Sequence, residues 1–212
     1  MYDLTQCTNV NHVSQSVNPN ALIYVAEGSK AQGENVICSG KCVSLSLEPG
    51  YDFTPREDFV AEKAQISLGA SPADWVLLTP PFSVAVPDGI IAREILEHSI
   101  TGISNSTQDV QTLEAGKTYL VMTSSFRNVT LSAENVKVLA HPVANTDEAV
   151  VGTFVNTTTP ADAQLLVNGD KPAFVPVVEG SAVEALRGYW FASDMTKSFR
   201  AYPSLLLDPA YQ

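Results

Sequence analysis

Along this chain apolar residues alternate with polar ones or gather in short unbroken runs, and helical spacing is scarce. Ala21-Leu22-Ile23-Tyr24-Val25-Ala26, Cys42-Val43-Ser44-Leu45-Ser46-Leu47, Trp75-Val76-Leu77-Leu78-Thr79 and Thr118-Tyr119-Leu120-Val121-Met122 are short and rich in β-branched or aromatic residues. The same pattern returns in Val136-Lys137-Val138-Leu139, Val150 to Val155, Gln164-Leu165-Leu166-Val167 and Ala173 to Val178. Each run predicts a strand, because side chains of a strand point alternately to its two faces. Only Pro55 to Lys63 and Asp88 to Glu97 support a helical turn or two, and the second reads equally well as strand.

Between the runs stand Glu48-Pro49-Gly50, Pro87-Asp88-Gly89, Glu114-Ala115-Gly116 and Asn168-Gly169-Asp170, each supplying a residue suited to positive or fixed φ. Asn168-Gly169, between two apolar runs, is the strongest hairpin signal. Turns recur roughly every 10 to 15 residues, as in sandwiches and barrels. The expected fold is therefore all-β: an antiparallel β-sandwich with a small N-terminal β segment. The pattern changes near Phe53-Thr54-Pro55, which divides the chain into a β segment over 1–54 and a sandwich domain over 55–212, the first docked on or continuous with the second.

Composition narrows the function. At 212 residues, with 45% hydrophobic and 17% charged, the chain can bury a sizeable core. A formal net charge of −11, with no run of Lys or Arg, argues against nucleic acid as a partner. No apolar stretch approaches the ~18 residues of a membrane span, so no membrane insertion is expected. No signal peptide is expected within this stretch, since Met1 to Cys7 has no apolar stretch ahead of Cys7 and Gln6 stands where a small residue is needed. If exported, the chain is then a piece of a longer precursor.

Candidate chemistry is sparse. Cys38 and Cys42 bracket Ser39-Gly40-Lys41 between apolar arms. Zinc would need two more ligands, and Cys7, His12, His98 and His141 are scattered, so no metal and no cofactor is expected. A redox pair is disfavoured by the C-x3-C spacing. A hairpin with a three-residue loop would set Cys38 and Cys42 across its closing pair, where a strained disulfide or two small apolar side chains both fit. The three histidines lack partners at motif spacing, and the nucleophile-elbow, zinc-protease, P-loop and dinucleotide signatures are absent.

Carboxylates at Asp52, Glu57, Asp58, Glu94 and Glu97 are candidates for a glycosidase pair, though a solvated acidic face explains them better. Asn145-Thr146-Asp147-Glu148 lacks the ligand alternation of a calcium loop, and the N-x-S/T triplets at Asn105, Asn128 and Asn156 matter only in a eukaryotic secretory setting. The aromatic residues Trp75, Tyr189, Trp190 and Tyr202 remain as candidate ligand-binding platforms, with Trp75 and Trp190 also reading as core because they lie in apolar runs.

The order of segments from Pro19-Asn20-Ala21 through Val36-Ile37-Cys38 to Tyr51-Asp52-Phe53-Thr54-Pro55 resembles a module of Bacteroides-type cell-surface proteins that often follows leucine-rich repeats. Trp75 to Phe82, Leu113 to Val121, Val151-Gly152-Thr153-Phe154 and Leu186-Arg187-Gly188-Tyr189-Trp190-Phe191 continue the likeness over residues 18 to 192. Cys42 fits the resemblance; Cys38 and the tail over 193–212 depart from it. Leu4-Thr5-Gln6-Cys7-Thr8-Asn9-Val10 also looks like the tail of a repeat, with an outward Thr and Asn row.

The resemblance implies a non-catalytic extracellular module of a bacterial cell surface, binding a glycan or host protein, or acting as a spacer. The competing expectations are a glycoside hydrolase with carboxylates from separate strands, and a structural cap on a repeat array.

Overall fold

The computed structural model describes residues 1–7, 10, 17–95, 107–124, 129–143, 150–168, 172–190 and 205–206, and no helix occurs among them. The strands, β1 to β19 in chain order, are Tyr2–Leu4, Ile23–Val25, Val36–Cys38, Lys41–Leu47, Phe59–Ser67, Trp75–Leu78, Val84–Ala85, Ile90–Ile95, Thr107–Asp109, Thr112–Leu113, Tyr119–Thr123, Thr130–Val138, Val150–Gly152, Thr157–Thr158, Gln164–Val167, Ala173–Pro176, Ala182–Val183, Gly188–Trp190 and Leu205–Leu206. The chain is all-β, as the alternation predicts.

The largest sheet has the order β1-β2-β3-β4-β5-β12. Its first three strands are parallel and in register, so that Tyr2, Ile23 and Val36 form one row and Leu4, Val25 and Cys38 another. This stacking of successive turns is solenoid-like. Ile23, Val25 and Val36 close a small core with Leu4, Val10, Ala31 and Cys38, while Tyr24 and Ile37 turn the other way into the main core. β2 is consequently buried at every residue, which is why it reads as an unbroken apolar run.

β3 turns back into β4 as an antiparallel hairpin, and β4 lies parallel to β5, across Phe53-Thr54-Pro55. The ladder thus mixes parallel and antiparallel neighbours, whereas the sequence alone leads to an antiparallel sandwich. Residues from both sides of position 54, among them Leu45, Phe53, Phe59 and Ile66, share one hydrophobic core.

The helical turn expected over Pro55 to Lys63 is a correction. Residues 59–67 form a strand, β5, paired with β4 on one side and β12 on the other. Its core residues are Phe59, Ala61, Ala64 and Ile66, those of β4 are Cys42, Leu45 and Leu47, and those of β12 include Leu131, Ala133, Val136 and Val138. In all three strands the period of two is broken by one step of three, and the steps lie side by side: Cys42 opposite Ala61 opposite Val136, and Leu45 opposite Ala64 opposite Ala133. On β12 the extra residue is Asn135, with φ at 52°. A step of three imitates helical spacing, which misleads a reading of β5 in isolation.

A second sheet, β6-β11-β8-β9, packs against the first. On its central strand Tyr119 and Val121 enter the main core, whereas Leu120 and Met122 enter another core with Trp75, Leu77, Val150, Phe174 and Trp190. The second core leads to the sheet β13-β18-β15-β16-β19. The expected strand reading of Asp88 to Glu97 is met by β8, and the Asn168-Gly169 signal by the antiparallel pairing of β15 with β16, whose turn residues 169–171 lie outside the described residues. Of the tail over 193–212, only Leu205–Leu206 is described, paired with β16.

Candidate functional site

A cleft of about 210 Å³ lies beside β6, where Leu165, Leu166 and Asn168 of the β15 region meet Ala182, Val183, Glu184, Arg187 and Gly188. β6 is an edge strand among the described residues, so one row of its backbone groups has no neighbouring strand there. Asn168 caps the beginning of that row: its Oδ1 accepts from Trp75 N (2.9 Å) and its Nδ2 donates to Trp75 O (2.8 Å). The end of the row is capped by Leu186 O, which accepts from Thr79 N (2.9 Å). Because strand residues turn their polar groups alternately to either edge, Leu77 between them faces the same way. Its carbonyl takes a long contact from Arg187 Nη1 (3.5 Å), and its N–H faces the gap.

Arg187 is placed by its backbone. Its carbonyl accepts from Thr153 N (3.0 Å) and from Thr79 Oγ1 (2.8 Å), and Thr79 Oγ1 lies 2.9 Å from Thr118 Oγ1. Leu186, just before it, sits at φ 62°, an uncommon conformation for a branched residue, held by hydrogen bonds on both its N–H and its carbonyl. Just after it, a Cβ on Gly188 would stand 2.6 Å from Val151 O, so only glycine allows β18 to approach β13 this closely.

The guanidinium Nη2 donates to Leu68 O (3.0 Å) and Gly69 O (3.1 Å). No carboxylate lies within ion-pair distance of Arg187 among the described residues. Burial pulls its pKa below the usual arginine range, and the nearby charge of Glu184 partly opposes that. The result is a desolvated cation at the wall of a cleft lined by both polar and apolar groups, in a chain whose net charge is −11.

Of the aromatic residues singled out from sequence, Trp75 and Trp190 share one buried core. Trp190 is fully buried against Phe174, ring centroids 5.3 Å apart, and Trp75 is 4% exposed in the same core while also lining the cleft. Tyr189 is half-buried, and burial raises its hydroxyl pKa. Tyr202 lies outside the described residues.

Cys38 and Cys42 correct the bridged-hairpin reading. Ser39 (φ 49°) and Gly40 (φ 73°) form a two-residue turn of the primed type, so Cys38 pairs with Lys41, and Ile37 with Cys42. A loop one residue shorter than expected puts the two cysteines on opposite faces of the sheet, which forbids a bridge between them. Both are free: Cys38 Sγ donates to Ala26 O and Cys42 Sγ to Ser44 O, each at 3.3 Å.

The candidate carboxylates serve as anchors. Asp52 accepts from Asn156 N (2.7 Å) and Nδ2 (2.8 Å), and Asp58 accepts from Ala140 N (2.8 Å) and pairs with Lys137 (2.8 Å), which lowers its pKa. Glu57 is exposed and Glu94 half-buried, and in the cleft the lining includes one carboxylate, that of Glu184. His12, Glu97, His98, Asn105, Asn128 and Asn145 to Glu148 lie outside the described residues, while His141 is exposed. Sequence reasoning passes over Arg187 and Asn168 as site residues, because their role depends on a strand edge 93 to 110 positions away.

A comparison of the chain with protein-family models, with curated proteins and with solved structures finds no match to any of them.

Proposed function

We propose that this chain is a non-catalytic extracellular module of a bacterial cell-surface protein, seated at the end of a parallel-strand repeat and acting as a spacer. The observation that carries the reading is the in-register parallel ladder of β1, β2 and β3. Rows of stacked side chains across parallel strands are what a repeat array uses to propagate its core from one coil to the next. The hairpin into β4 then ends the parallel run and hands the ladder to the longer strands β5 and β12. In this reading the remainder is a sandwich-like β body mounted behind a solenoid-like end.

The test has two arms. A leucine-rich coil fused ahead of Met1 is expected to raise the melting temperature, because stability in stacked repeats includes a term from each neighbour interface. An unchanged or lowered melting temperature counts against the reading. The purified chain is also expected to leave a panel of polysaccharides intact; cleavage that disappears on substitution of a single carboxylate overturns the non-catalytic part.

A further inference from the structure

From the cleft beside β6, we infer that the chain holds a binding site for a small carboxylate ligand about as large as one sugar ring. The inference is independent of the repeat-terminal role. Three observations converge on it.

First, Arg187 lines the cleft and is charged without an ion-pair partner among the described residues. Its three hydrogen bonds go to the carbonyls of Leu68, Gly69 and Leu77 and leave Nε–H and one Nη1–H without an acceptor among the described residues. Both Nη2 hydrogens are taken, and each two-pronged grip of a guanidinium on a carboxylate uses one of them, so a carboxylate here takes a single charge-assisted hydrogen bond from Arg187 and a second from a neighbouring donor. Second, the β6 edge is capped at Trp75 by Asn168 and at Thr79 by Leu186, but the Leu77 N–H between them faces the same gap. A backbone donor and a guanidinium on one side suit a planar anion.

Third, the remaining wall is apolar, from Leu165, Leu166 and Val183, which suits the C–H face of a ring. At about 210 Å³ the cleft is smaller than the ~300 Å³ at which sites for drug-sized ligands begin, so it takes a single ring rather than a chain. Neutral ligands would leave the Arg187 charge uncompensated, and phosphate would leave the apolar wall unused. Glu184, exposed at the rim, is the one competing charge among the described lining residues.

The experiment is a titration of the isotope-labelled full chain followed by amide and guanidinium NMR shifts, with D-glucuronate as probe and D-glucose beside it. Glucuronate is expected to give saturable shifts at Leu77, Leu166, Asn168 and the Arg187 Nε–H, and glucose none. Ala182→Trp, which fills the cleft from an exposed position, is expected to weaken glucuronate binding by about tenfold or more. Glu184→Gln, by removing the competing charge, tightens binding. Arg187→Lys keeps a charge but loses the planar donors anchored on the Leu68 and Gly69 carbonyls, and also weakens it; should that variant not fold, the Ala182 and Glu184 variants still decide, because neither touches those carbonyl contacts. Equal shifts with glucose, or binding unaffected by Ala182→Trp, would overturn the site. An acidic peptide that binds there more tightly than glucuronate would overturn the ring-sized assignment.

Discussion

Asn20 and Asn35, both fully buried, hold the N-terminal coil to the rest of the sheet by imitating backbone. Asn35 Nδ2 donates to Pro19 O (2.7 Å) and Ser46 O (3.0 Å), and its Oδ1 accepts from Ser46 N (2.7 Å). Asn20 does the same for Glu48 N and the carbonyls of Glu48 and Tyr51. Replacing Asn35 with Ala leaves buried groups unpaired and places Ala at φ 59°, where asparagine is tolerated. The expected loss is about 3 kcal/mol in denaturant unfolding. At Cys42, burial pushes the thiol up to about 12. Its neutral form is favoured in the fold, so this contribution is whole below the ordinary thiol range and is lost as pH rises from about 9 towards 12. Alkylation at neutral pH should therefore modify exposed Cys7 and spare Cys42 until the chain is unfolded, as mass analysis would show. None of these roles is legible from composition: a polar residue near a turn looks the same in sequence whether it faces water or replaces a strand.

At the scale of elements, alternation reveals where strands lie but not how they pair. Parallel and antiparallel neighbours use the same residues, so the β1-β2-β3 and β4-β5 pairings carry no mark in any one strand. The hairpin loop is one residue shorter than its sequence suggests, and since the side-chain period is two, that single residue moves a cysteine to the other face. The two-residue turn prefers asparagine at its first position, so Ser39→Asn is expected to stabilise by a few tenths to about 1 kcal/mol. The same logic applies to the shared step across β4, β5 and β12. Asn135→Val puts a β-branched side chain at positive φ and should cost about 1–2 kcal/mol, with Asn135→Gly near neutral. Chemical unfolding of the two variants separates backbone strain from loss of the amide.

The whole molecule is organised by which residues serve two cores. β11 sends Tyr119 and Val121 one way and Leu120 and Met122 the other, linking the ladder sheet to the sheet that carries β15 and β18. A fully apolar run such as β11 is readable as a doubly buried strand, and Trp75 and Trp190 are readable as core for the same reason. The cleft is not, because its donors come from Leu77 and Arg187, 110 positions apart, and one is a backbone group that every residue possesses. The repeat-terminal account stands most directly on β1, whose Asp3 turns its backbone groups away from β2 by alternation. Asp3 is also tied down: its carboxylate accepts from Thr5 and pairs with Arg56 (2.6 Å), which together hold its pKa at about 2. The deciding measurement is hydrogen exchange at Asp3 in the chain alone and fused to a preceding leucine-rich coil. The account predicts fast exchange alone and strong protection in the fusion, with Tyr2 little changed because its N–H already bonds Leu22 O (2.8 Å); an Asp3 amide that exchanges equally fast in both would contradict it.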